Sequence, residues 1–238
     1  MNDDYGKEYP AALISDGVRY MLASETRWQR HYHTEDNQRG YVISRFMDGS
    51  AAITFPELER DWGSWTTRER HDFCNACSWL KEQEDFPEIL RYVMQGGDFC
   101  DWSAVALPIA MHLPQDEAFG LLLTALQATE LGVAAANISQ GIAQTRHPKA
   151  KPTLLAHLEA LWSHPGLRED NEFCNWIAFG ATCAIKYLLE LGAPPEDFAK
   201  QVRELSRHKC QRNRKSCHSF LAKYYPWLKD SSAGSETI

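Results

Sequence analysis

The stretch EFCNWIAFGATCAIKYL (residues 172–188) decides how this chain folds. An α-helix turns once every 3.6 residues, so apolar side chains spaced three and four apart lie on one stripe of its surface. The stretch predicts a long helix with one buried face, formed by Phe173, Trp176, Ile177, Gly180, Ala181, Ala184, Ile185 and Leu188.

The first four residues of that stretch belong to a phrase that occurs three times. It reads DFCN at residues 72–75, DFCD at residues 98–101 and EFCN at residues 172–175, and each copy opens or enters an apolar helical stretch. Recurrent helical segments are typical of an α-solenoid, in which each unit buries its apolar face against its neighbours. The sequence therefore predicts an all-α fold, with strand alternation nearly absent.

A shorter amphipathic segment precedes each long apolar stripe, and most of these segments start with proline and acidic residues. Such residues suit a first helical turn, because proline needs no N–H partner there and acidic groups complement the helix dipole. The starts fall near residues 56, 87, 115, 152 and 195. The sequence thus predicts about five antiparallel helix pairs. The second helix of the last pair is predicted to bury Cys217, Phe220, Leu221, Tyr224 and Leu228.

Proline-led first helices and alanine-rich second helices over residues 102–113, 131–146 and 176–191 make residues 55–228 resemble the HEAT family of helical repeats. The resemblance implies an α-solenoid, a HEAT-like array that we place at residues 55–230. Residues 1–54 are predicted to form an N-terminal helical cap over its first apolar face. Residues 231–238 are small and polar, and we predict a disordered tail.

Cysteine usage and hydropathy predict a cytoplasmic protein. The chain has seven cysteines, an odd number that a fully paired disulfide framework cannot use. Its acidic, polar start differs from a secretory signal, which needs a basic stretch followed by an apolar run. The most apolar region, residues 119–142, is interrupted by polar residues and alanines, so we expect no membrane span.

Charge is unevenly distributed along the chain. The net charge is −7, residues 1–100 carry 18 acidic and 11 basic groups, and residues 196–230 carry nine basic and four acidic groups. An acidic surface favours a basic partner, so the partner that we predict is another protein with a basic surface. The basic segment at residues 200–215 leaves nucleic acid open as a partner, although such a run also serves solubility.

Two groups of residues are candidates for binding. The repeated phrase ends in Asn75, Asp101 and Asn175, one per unit, which we expect to be more exposed than their neighbours and to line a shared face. In HEAT-like arrays the second helices that carry these residues line the concave surface. The basic segment adds Arg207, Arg212 and Arg214.

Tryptophans, cysteines and histidines are expected to serve packing. Trp102 and Trp176 start the apolar stripes of their helices, which favours a role in packing over a base-stacking platform. The histidines and cysteines lack the spacing of a zinc finger or the strand context of a redox motif. We predict no catalytic residue, metal or cofactor at His71, Cys74 and Cys77, or at His208, Cys210, Cys217 and His218.

Three functions remain open. The repeats and the negative charge favour a non-enzymatic protein-binding scaffold, in a narrower form an acidic inhibitor or immunity-type protein that masks a basic partner. The second is an enzyme that resembles the HEAT-like DNA glycosylases. Asp101, beside Trp102, is the candidate for the catalytic aspartate of that family. The excess of acidic over basic residues in the chain weakens this hypothesis, because phosphate binding depends on many lysines and arginines. The third is an accessory subunit that docks on a larger assembly.

Overall fold

The computed structural model describes residues 55–65, 67–77, 85–130, 132–168 and 172–230, and every regular element in these ranges is a helix. The all-α prediction is therefore confirmed for this part of the chain, whereas the solenoid arrangement stays a prediction. The proposed cap (1–54) and tail (231–238) lie outside the described residues. The chain divides into two compact units, Met1–Pro108 and Ile109–Ile238.

The described helices begin near the residues at which helix-start signals were found. Short 3₁₀ turns at Trp62–Ser64, Pro165–Arg168 and Pro195–Phe198 accompany them. The helices are α1 (Phe55–Asp61), α2 (Thr67–Ala76), α3 (Phe86–Gly96), α4 (Phe99–His112), α5 (Gln115–Ala128), α6 (Val133–Gln144), α7 (Ala150–Ser163), α8 (Glu172–Glu190), α9 (Ala199–Leu205), α10 (Gln211–Leu221) and α11 (Trp227–Asp230).

The first unit is held together by aromatic side chains between α1, α2 and α3. Helix α1 packs against α3, and Trp62, just after α1, donates its indole N–H to the carbonyl of Gly96 at 3.2 Å. The ring of Trp62 also lies 5.7 Å from that of Trp65 and 6.3 Å from that of Phe73. Edge-to-face and tilted pairs of this kind add to the apolar burial of each ring.

The second unit is built around α8, the helix predicted from the opening stretch. Helix α8 packs against α6, α7 and α10, and the predicted partners α5 and α6, α7 and α8, and α9 and α10 each pack together. Its stripe is buried at Ile177, Ala181, Ala184, Ile185 and Leu188. The length and apolarity of α8 thus place it at the centre of this unit, because a wide apolar face needs neighbours on several sides.

The end of α8 is fixed by its glycine. Gly192 has a φ of +77°, the left-handed conformation that favours glycine. The amides of Gly192 and Ala193 donate to the carbonyls of Leu189 and Leu188, both at 3.0 Å, which is a Schellman motif. Arg146 donates to the carbonyl of Glu190 at 2.9 Å. These bonds pair carbonyls that the helix itself leaves unpaired.

The predicted stripe of α10 is partly wrong. Cys217, Leu221 and Leu228 are buried as expected, but Phe220 and Tyr224 are half-buried. Tyr225 is buried instead and donates its hydroxyl to the carbonyl of Pro195 at 2.6 Å. Because α10 ends at Leu221, the turn that follows it does not continue the helical phase assumed for the stripe.

A buried histidine gives the second unit a pH dependence. Burial lowers the pKa of His157 to about 4, from an ordinary value near 6.5, and its Nε2 has no hydrogen-bond partner among the described residues. The folded state therefore favours neutral His157, and the stability due to this preference is present above about pH 6.5 and lost as the pH falls toward 4. Relative to a His157→Leu variant, the wild type should lose about 2 kcal/mol of unfolding free energy between pH 7 and pH 5.

Denaturant titrations of both proteins at the two pH values measure this difference. The acidic groups that titrate over the same range are common to both proteins, so their contribution cancels. Equal losses in wild type and variant would contradict the assignment to His157.

Within the described residues, no helix combines the length and apolarity needed to cross a membrane.

Candidate interaction surface

Exposed basic side chains surround the turn between α9 and α10. Residues 200–223 contain eight basic residues and one acidic residue. Helical spacing places Lys200, Arg203 and Arg207 on one side of α9 and its continuation, since they are three and four residues apart. We call the following exposed residues the basic surface: Lys200, Arg203, Arg207, Lys209, Arg212 and Lys215.

The single acidic residue in this segment does not neutralise the basic surface. A carboxylate oxygen of Glu204 lies 2.7 Å from Nε of Arg168, which belongs to the 3₁₀ turn after α7. Glu204 is thus already paired with a cation from outside residues 200–223. The positive charge of the basic surface remains available to attract anions over about one Debye length, roughly 8–10 Å.

Two buried or half-buried side chains hold the backbone of the turn in place. His208 is buried; its Nδ1 accepts the amide hydrogen of Cys210 at 3.1 Å, and its Nε2 lies 2.9 Å from the carbonyl oxygen of Leu167. These partners fit the neutral imidazole with its proton on Nε2. Arg214 donates to the carbonyls of His208 and Lys209. The exposed cations therefore project from a fixed turn.

Half-buried aromatic rings adjoin the basic surface. The guanidinium of Arg212 lies over the indole of Trp176, 4.8 Å from the ring centroid. The ring of Trp176 meets that of Phe179 edge to face at 6.1 Å, and Phe179 meets Phe220 at 6.1 Å. All three rings are half-buried. A cation over an indole is held in place by the ring quadrupole, so Arg212 is partly ordered before any partner binds.

The three arginines predicted for binding have different environments. Arg207 and Arg212 are exposed and belong to the basic surface, whereas Arg214 is half-buried and bonded to the backbone of the turn. Its contacts give Arg214 a positioning role. The side chains of Asn75 and Asn175 lie outside the described part of the structure.

Trp102 and Trp176 were expected to serve packing, and each is half-buried. Trp176 packs on Phe179 and also lies beneath an exposed arginine, a contact that the sequence did not predict. Phe179 was missed altogether. The available signal was that it lies off the apolar stripe of α8, where a large aromatic ring reaches the edge of the buried face.

Asp101 is buried, so the expectation that it is exposed is wrong. Asp98 precedes α4, and its carboxylate accepts hydrogen bonds from the amides of Cys100 at 2.9 Å and Asp101 at 3.3 Å. The carboxylate of Asp101 in turn accepts the amide hydrogen of Asp98 at 3.1 Å. This reciprocal arrangement is a capping box, with aspartate at its third helical position. It turns the side chain of Asp101 back toward the helix start.

The environment of Asp101 is polar but closed to solvent. Burial raises the pKa of Asp101 above its ordinary value, the hydrogen bond from Asp98 opposes the rise, and the charge of Asp98 adds to it. Nε of Arg70 lies 3.8 Å from the carboxylate. Asp101 therefore stabilises the start of α4, and its complete burial is inconsistent with direct contact to a partner.

The thiols and histidines considered for metal binding are individually engaged or buried. Burial raises the pKa of Cys217 to about 12, and its thiol lies 3.8 Å from the carbonyl of Val202. Nδ1 of His218 lies 2.9 Å from the carbonyl of Leu228. Cys74 and Cys77 are fully buried, and burial raises the pKa of Cys74 well above its ordinary value. Among the described residues, no three histidine, cysteine or acidic side chains converge in a way that could hold a metal ion.

Comparison with known proteins finds no relative. No protein-family model matches the chain, no curated protein is similar to it, and no solved structure matches it. The resemblance to HEAT repeats thus depends on the helix pattern of the chain alone.

Proposed function

We propose that this chain is a non-enzymatic binding scaffold that engages an anionic partner through the basic surface of its second unit. The observation that carries the proposal is the cluster of six exposed cations around one turn, within a segment (residues 200–223) whose single acidic residue is paired with Arg168. Such a cluster costs folding free energy through self-repulsion unless a counter-charge relieves it. An anionic partner would supply that counter-charge.

The fixed backbone of the turn supports the same proposal. His208 and Arg214 hold it from inside, so the backbone that carries Arg207 and Lys209 needs little ordering when a partner binds, and the side chain of Arg212 is already held over Trp176. Preorganised groups lose less entropy on association, which leaves more of their interaction energy as affinity.

The acidic balance of residues 1–100 motivates a second candidate, the scaffold that masks a basic protein. Opposite charge raises the association rate and makes the complex sensitive to salt. Eight of these 18 acidic groups fall in residues 1–54, outside the described residues. The two candidates are compatible, because they use segments of opposite charge.

Binding of inorganic polyphosphate, a polyanion without bases, tests the first proposal. At 50 mM salt we expect saturable binding that weakens steeply as salt is raised, because each phosphate contact releases counterions. The double variant Arg207→Glu/Lys209→Glu should bind about tenfold more weakly, since two attractions become repulsions. Lys149→Glu, an exposed cation before α7 and outside the basic surface, is the control.

Two results would contradict the proposal. One is an absence of polyphosphate binding at 50 mM salt, and the other is an equal effect of the double variant and the control. Titration with polylysine in the same buffers tests the second candidate, for which salt-independent binding or no binding is the negative result.

A further inference from the structure

Aromatic rings and cations lie side by side on the second unit. Arg212 lies over Trp176, and the rings of Trp176, Phe179 and Phe220 follow one another at 6.1 Å centroid separations. Phosphate backbones are recognised by cations, whereas unpaired bases are recognised by stacking on aromatic rings and on arginine side chains. A surface that offers both kinds of group together can bind both parts of a nucleotide chain.

We propose that the basic surface binds single-stranded nucleic acid, with its phosphates along the exposed lysines and arginines and a base stacked at the Arg212–Trp176 pair. This inference rests on the proposed function, because it names the chemical class of the anionic partner. Arg212 is the residue that joins the two modes of recognition, since it is exposed, charged and seated over an indole.

A single strand fits these residues better than a duplex or an acidic protein does. The bases of a duplex are already stacked on one another, so its phosphates would contact the cations and its bases would not stack on the aromatic rings. An acidic protein segment offers carboxylates, which pair with guanidinium groups through hydrogen bonds and gain nothing from an adjacent ring. A partner that carries both charge and flat, unpaired bases would contact the cations and the adjacent rings of Trp176, Phe179 and Phe220 together.

The stacking position is built on regular structure. Trp176 and Phe179 belong to α8, while Arg212 and Phe220 belong to α10, and these two helices pack together. Phe220 and Arg212 are eight residues apart, so they project from neighbouring sides of α10. A base that stacks here would meet groups whose backbone positions are fixed by the core of the unit.

The experiment compares two substitutions that keep charge and differ in their aromatic neighbour. Arg212→Lys removes the planar group over Trp176, whereas Arg146→Lys, the matched control, changes an exposed arginine that lies outside the basic surface and donates to a backbone carbonyl. The full chain is titrated into fluorescently labelled oligothymidylate of 15 nucleotides and, separately, into labelled polyphosphate. Tryptophan fluorescence is recorded in parallel, because a base stacked near Trp176 should quench it.

We expect Arg212→Lys to weaken binding of the oligonucleotide about tenfold, as the loss of one stacked base predicts. The same variant should change polyphosphate binding by less than about twofold, because its charge is retained. Arg146→Lys should change both affinities by less than about twofold. Phe220→Leu, which keeps an apolar side chain and removes a ring, should weaken oligonucleotide binding and leave polyphosphate binding unaltered.

Three outcomes would overturn the inference while leaving the proposed function intact: an equal effect of Arg212→Lys on the two probes, tighter binding of a duplex of the same length, or tighter binding of polyglutamate. If the chain binds neither polyphosphate nor oligothymidylate at 50 mM salt, both proposals are overturned. Far-ultraviolet circular dichroism of each variant confirms that its helices are intact before its affinity is interpreted.

Discussion

Ile185→Ala should lower the unfolding free energy by about 4 kcal/mol. Ile185 is fully buried on α8, the helix that packs against α6, α7 and α10 in the second unit. Removal of its outer methylene and methyl groups loses their transfer free energy and leaves a cavity. The surrounding helices can close this cavity only in part, because α8 is held from several sides.

Denaturant unfolding followed by far-ultraviolet circular dichroism measures this loss. Leu155→Ala is the matched control, because Leu155 lies on α7 in the same unit and is only half-buried. Its cost should be less than half that of Ile185→Ala, in proportion to the apolar area that it buries. A similar cost for the two substitutions would contradict the central position of α8.

Gly97→Ala should destabilise the first unit by about 3 kcal/mol. A Cβ atom at Gly97 would lie 2.6 Å from the carbonyl oxygen of Val93 and 2.9 Å from Cβ of Asp101. Both atoms belong to or adjoin the backbone, so neither can rotate away. The φ of Gly97 is −90°, which any residue adopts, and the expected cost is therefore steric and not conformational.

Relief of this clash would disturb the capping box at the start of α4. Asp101 exchanges hydrogen bonds with Asp98 there, and loss of such a cap costs about 1 kcal/mol by itself. Gly120→Ala is the control, for which we expect a change in unfolding free energy of the opposite sign. A Cβ atom there has no neighbour within 4 Å, so alanine should stabilise α5 by up to about 1 kcal/mol through helix propensity. If Gly97→Ala left the unfolding free energy unchanged, α3 and α4 would have to shift apart to accommodate the added Cβ atom.

The position of the helices could be predicted from local pattern. Prolines and acidic residues near 56, 87, 115 and 195 do lie at or next to helix starts, because they act within one turn of their own backbone. The buried stripe of α8 could be predicted for the same reason, since Ile177 through Leu188 need only helical periodicity. The stripe of α10 failed at Phe220, inside the helix, and at Tyr224, beyond Leu221, where the helix and its period end.

The candidate surface could be predicted only in part. A run of cations is visible in the sequence, so Arg207 and Arg212 were identified, but the different role of Arg214 was not. Arg214 is six and five residues from the two carbonyls that it binds, and only the folding of the turn brings them together. Trp176 and Arg212 are 36 residues apart, and their contact depends on the packing of α8 against α10.

The sequence by itself determined the all-helical structure of the described residues, their helix starts, the buried face of α8 and the concentration of cations at residues 200–215. Each of these follows from residue type and spacing within a few turns of helix. The tertiary structure alone decided that Asp101 is buried beside Arg70, that Glu204 is paired with Arg168, and that Trp176 supports an exposed arginine. These features join residues from separate elements, and burial and charge pairing depend on which elements meet.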